Sequence, residues 1–160
     1  MEVNFLALLV ASLSTLLIGF VWYHPKVFGT AWMRETNLTK EQLMKTNMMV
    51  IFPLTIFYAY LIAIIVQTVV IHQFGAFGMI CGLEESAKPS YQAFMSDYGT
   101  AYRTFKHGAF HGLFLGLMFA FPIIATNALF DRKSFRYVLI TAGFWLVCLT
   151  LMGGIICAWE

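Results

Sequence analysis

The string Arg103-Thr-Phe-Lys106-His107-Gly108-Ala-Phe-His111-Gly112 holds most of the side chains here that could do chemistry. Residues four apart share one face of a helix, so His107 and His111 stand one above the other, with Arg103 a turn earlier. Three uses are open to such a pair. The imidazoles can hydrogen-bond to a loop or another helix at a membrane surface. They can share a metal ion, or one of them can ligate haem iron. They can also move protons, because histidine titrates near neutral pH. A metal centre needs further ligands, and local spacing supplies none. His72, Glu84, Glu85 or Asp97 would have to be folded back by the intervening loop. The sequence alone therefore assigns no metal site.

Asn4, Gln67, His107 and His111 all map to the same half of the uncharged stretches described next, so they could converge in one polar pocket. They form the candidate cofactor-binding set, with haem, a metal, a quinone or a lipid as the classes of ligand. The cofactor itself is unknown. Thr126 and Asn127 map to the opposite end, near Asp131, Arg132 and His24. The chain has no Ser/His/Asp set, no P-loop and no dinucleotide fingerprint. With only the histidine pair available as a base, the residues point away from an enzyme.

The elements that must position these groups are legible from charge. Of 160 residues, 60% are hydrophobic and 11% charged, against about a quarter charged in an ordinary soluble domain. The net charge of +2 lacks the basic stripe that nucleic acid would need. None of the ten Lys and Arg or eight Asp and Glu residues falls within 4–23, 48–71, 107–129 or 137–159. Each of these stretches has the ~20 residues needed to cross a ~30 Å hydrocarbon core as a helix. Backbone groups in lipid must be paired within a segment, which favours helices. The expectation is an all-α integral membrane four-helix bundle, one four-span domain over residues 1–160.

Seven basic residues (Lys26, Arg34, Lys40, Lys45, Arg132, Lys133, Arg136) lie in the first and third loops. Lys88, Arg103 and Lys106 lie on the other side, with Glu2, Glu84, Glu85, Asp97 and Glu160. By the positive-inside rule, loops one and three face the cytoplasm and both termini face outward. His24 is then a bilayer away from His107 and His111. The first stretch lacks a basic n-region and a small-residue cleavage site, so it reads as an anchor that stays in the membrane. Cys81, Cys148 and Cys157 are odd in number and lack zinc-ligand spacing.

Short interfacial helices are expected after span one, over Pro25–Arg34, and before span three, where Tyr91 to Phe105 recur at helical spacing. Thr39-Lys-Glu-Gln42 is a capping box, predicting that helix two starts near Lys40 and continues into the membrane. Pro53 should interrupt a hydrogen bond inside it. The segment His72–Leu83 reads as a shallow turn. Gly108, Gly112 and Gly116 make a ridge that allows close helix packing in lipid.

Asn4, the run Gly19-Phe-Val-Trp22-Tyr23-His-Pro25-Lys-Val-Phe28-Gly29-Thr-Ala-Trp32-Met and the Arg103–Gly112 string resemble bacterial proteins of domain of unknown function 1761. Asn127 before Phe130, the basic loop Asp131–Arg136 and the Met152-Gly153-Gly154 to Trp159 ending are similar too. The style resembles versions from the Bacteroidota. This resemblance implies a small four-span protein of the bacterial inner membrane, and it carries over no catalytic residues. The function expected from small size and the glycine ridge is association in membrane lipid, as a homo-oligomer or an accessory subunit of a membrane complex. Ligand or cofactor binding at His107 and His111 is the alternative.

Overall fold

A computed structural model describes residues 3–159. Glu2 and Glu160, counted above in the charge balance, lie outside the described residues. Among the described residues, four helical spans are long and apolar enough to cross a membrane: Phe5–Trp22, Met48–Val70, Phe105–Phe130 and Phe135–Ala158. The first, α1 (Phe5–Trp22), is opened by the Asn4 side chain, which accepts a hydrogen bond from the Ala7 N–H. That satisfies one of the donors every helix leaves orphaned at its start. Ser12, Ser14 and Thr15 are buried on this helix, and each returns its hydroxyl proton to a backbone carbonyl of the turn before. Polar groups are thereby tolerated in an apolar bundle.

After α1 the chain makes a π turn at Pro25–Gly29, then α2 (Thr30–Thr36) and α3 (Lys40–Met44). Gly29 is required there, since a Cβ would strike the Tyr23 carbonyl oxygen. Both halves of the Thr39/Gln42 capping box are present. In the same turn the Glu41 carboxyl sits below the usual carboxylate range, held by a backbone hydrogen bond and by Thr39. The expected continuous helix from Lys40 is broken. Asn47 accepts from the Met49 N–H and starts a separate span, α4 (Met48–Val70), with Pro53 inside it. A side chain that competes for backbone donors sets the boundary that hydrophobicity alone leaves open.

The segment read as a shallow turn forms a short helix, α5 (Gln73–Met79). Then α6 (Pro89–Tyr98) ends before the third span instead of running into it. Tyr102 adopts a positive φ of 62°, and Thr104 caps α7 (Phe105–Leu115) by accepting from the His107 N–H. A π turn at Gly116–Ala120 links α7 to α8 (Phe121–Phe130) within one span, the Phe121 N–H reaching back five residues to the Gly116 carbonyl. Ser134 caps α9 (Phe135–Ala158) and donates its hydroxyl to Glu35, tying the third loop to α2.

The α9 helix is the axis of the bundle, and α7 packs on it most closely. The cause lies in the glycines. A Cβ at Gly108 would strike the Gly153 carbonyl, one at Gly112 the Leu149 carbonyl, and one at Gly153 the Gly108 carbonyl. Gly116 faces Leu146. The ridge read as a surface for association is thus packed inside the chain. The core continues through Leu8, Ala63, Val66 and Met152, which join α1, α4 and α9.

Candidate functional site

Three histidines meet where α4 ends and α7 begins. His72 follows the last turn of α4, while His107 and His111 stand a turn apart on α7. One ring nitrogen from each lies within 4.8 Å of the other two. The Nε2 atoms of His72 and His107 are 3.1 Å apart. Ring centroids are separated by 4.9 Å for His72 and His107, 4.8 Å for His72 and His111, and 4.5 Å for His107 and His111. Tyr102 stacks on His107 at 5.3 Å, and Phe110 meets His111 edge-on at 5.6 Å. His72 is exposed and the other two are half-buried, so the cluster is open on one side at one end of the bundle.

The supports of this cluster are polar and specific. Beside His72, the buried Gln73 donates from Nε2 to the carbonyls of Tyr98 (2.7 Å) and Ala101 (2.9 Å). It fixes the segment carrying Tyr102 against the end of α4. Arg103 does not join the histidines. Its guanidinium donates to the carbonyls of Cys157 (2.8 Å) and Trp159 (2.6 Å), satisfying acceptors that α9 leaves open at its end. The Cys157 thiol lies 3.4 Å from both the Val70 and Tyr102 carbonyls. These contacts gather the ends of α4 and α9 and the start of α7 into one corner.

The residues singled out from the sequence separate into groups. His107 and His111 are together and gain His72, the helper that spacing could not guarantee. Asn4 is committed to capping α1. Gln67 is buried within α4, one turn before the cluster. Gly108, Gly112 and Gly116 hold α7 against α9 and so fix the face on which the histidines project. His24 is remote, its Nδ1 accepting from the Lys26 N–H at 3.2 Å. Gln73 and Tyr102 escaped the sequence reading; His72 at the end of one span and His107 at the start of the next was the available signal.

Trp22, Tyr23, Phe28 and Trp32 build an aromatic cluster at the opposite end. Trp22 stacks near Phe28 (4.5 Å), and Tyr23 meets both Trp32 (5.4 Å) and Phe144 (5.3 Å). The Trp22 indole donates to the Ile140 carbonyl at 3.0 Å. Pro25 opens the π turn that Gly29 closes. These residues lock α1 and α2 onto α9.

The triad has the makings of a metal centre. Zinc binds imidazole nitrogen at about 2.0–2.1 Å, which places tetrahedral ligand atoms roughly 3.3 Å apart. The 3.1 Å separation of His72 and His107 already approaches that spacing. A hydrogen bond between those two rings would employ two histidines, whereas an ion would employ all three.

No curated protein and no solved structure matches the chain. A family model described as a protein of unknown function (DUF1761) matches residues 6–157, and the chain belongs to that family.

Proposed function

We propose that this membrane four-helix protein binds a divalent transition-metal ion, zinc in the first instance, through His72, His107 and His111. One observation carries the reading: three ring nitrogens from two helix ends lie within 4.8 Å of one another. Imidazole suits zinc, copper, iron and nickel, and a three-histidine set leaves a fourth position open. The arrangement supports capture or presentation of an ion more than a closed structural site. By the basic-residue bias, the triad faces the outer side of a bacterial inner membrane, with loops one and three in the cytoplasm. Self-association or a place in a larger complex would have to use the lipid-facing surfaces, because the glycine ridge is occupied by α9.

The test is metal analysis of detergent-purified protein, followed by zinc titration after chelation. One ion per chain, lost in His111→Ala and in His72→Ala, supports the reading. A preparation that binds no zinc, copper or nickel above the triple-alanine background overturns it. A Soret band would instead assign the histidines to haem.

A further inference from the structure

An apolar groove of about 450 Å³ runs down the seam between α4, the α7–α8 span and α9, within the ~300–1,000 Å³ usual for ligand sites. Leu61 and Ile65 form one wall, Leu115, Phe119 and Ile123 the other, and Trp145 is part of the lining. Leu115 is four residues beyond His111, so the groove begins about 6 Å along the helix from the triad. Ile124, at its far end, is thirteen residues beyond His111, or roughly 20 Å. One leaflet of a bilayer is about 15 Å deep in hydrocarbon, half of the ~30 Å core. The groove therefore begins about a turn below His111 and passes well beyond mid-membrane, Ile124 lying six residues short of Phe130. The π turn at Gly116–Ala120 lies along it, carrying Phe119 and Ala120 into the lining.

We infer that this groove and the histidine triad form one binding site for a phospholipid, with an acyl chain along the seam and the phosphate at the metal's open position. The inference rests on the metal reading. Its basis is charge and the nearness of the two features along one helix face, Leu115 standing four residues beyond His111. Three neutral imidazoles leave the full double charge of a bound zinc uncompensated, and the cluster contains no carboxylate among the described residues. An oxyanion is the natural fourth ligand. Lys106, exposed beside His107, adds a second positive charge at the same end. The lining below is almost wholly apolar, which suits a hydrocarbon tail.

Zinc-loaded protein in mild detergent is mixed with dioleoyl phosphatidylglycerol, and retained lipid is read by native mass spectrometry. Zinc content is measured in parallel. One phosphatidylglycerol should be retained, and chelation should lower its retention about tenfold. Dioleoylglycerol, which has the same tails and no phosphate, should not be retained. Inorganic phosphate should displace the headgroup only at large excess, because it lacks the tail. Ala120→Phe and the exposed-site variant Ile123→Trp should bind zinc like the wild type and lose the lipid. Equal retention in both groove variants, equal retention of dioleoylglycerol, or retention independent of zinc overturns the inference. Failure to bind zinc at all overturns the metal reading instead, so the two failures are distinguishable.

Discussion

The Nε2 atoms of His72 and His107 face each other at 3.1 Å although 35 residues separate them in the chain. The intervening segment contains two helices, α5 and α6, and returns to the bundle where it left. The proximity is fixed from both sides. Gln73 anchors one histidine's neighbourhood and Thr104 caps the helix that carries the other.

Removing one imidazole should weaken zinc binding by at least about 10–100-fold, the scale of losing even a supporting partner. His107→Ala, which removes the ring whose Nε2 lies 3.1 Å from that of His72, should be the most damaging of the three. Competition titration against a chromogenic chelator measures this, and an unchanged affinity in all three single variants would end the proposal.

Zinc must displace the protons of its ligands, so binding and acidification oppose each other. Occupancy should be high at neutral pH and fall as the solution is acidified. A zinc-binding isotherm repeated across pH 5–8 should show a slope involving more than one proton. A flat profile would indicate that other ligands hold the ion.

Arg103→Met removes two charge-assisted hydrogen bonds from the end of α9 and should cost about 1.5–3 kcal/mol. The zinc affinity should change less than the stability, because Arg103 holds carbonyls and not the triad. Thermal unfolding in detergent gives the first number, and hydrogen exchange localised to residues 154–159 gives the second check.

Gly112→Leu should destabilise the fold by about 1–3 kcal/mol or more, since the inserted side chain strikes the Leu149 backbone. Chemical unfolding reports this directly. If the variant unfolded like the wild type while only its oligomeric mass changed, the ridge would be an intermolecular surface after all.

Trp22→Phe keeps the aromatic packing on Phe28 but loses the indole donor to Ile140. A loss of about 0.5–1.5 kcal/mol is expected. It should be read in thermal unfolding, with zinc stoichiometry unchanged because this cluster lies at the other end of the bundle.

The spans were legible because charge is excluded from hydrocarbon over whole segments, and a boundary set by that rule shifts by only a residue or two. The capping box at Thr39 was equally readable, being entirely local. What escaped were the short polar decisions. Asn47 starts a span that the capping box at Thr39 suggested would run on from Lys40, and the segment from Gln73 forms a helix where its glycines suggested a turn. For the site, shared faces on one helix placed His107 with His111. The nearness of His72 depends on which spans are lateral neighbours, a matter settled by glycine contacts between α7 and α9 and by the Arg103 corner. Asn4 has a depth compatible with the site, and its Oδ1 caps its own helix.

The π turn at Gly116–Ala120 acts as a phase adjuster for the third span. Each residue advances a helix by about 100°, so one extra residue turns everything beyond it by that angle relative to the part before. The histidines lie on one side of this joint and Ile123, Ile124 and Ala128 on the other. The joint thus lets the glycines seat on α9 while Ala128 is still buried beyond it. Deleting a single residue there would leave hydrophobicity and span length nearly intact, yet it would swing the lower half of the groove away from the half that begins beneath the histidines.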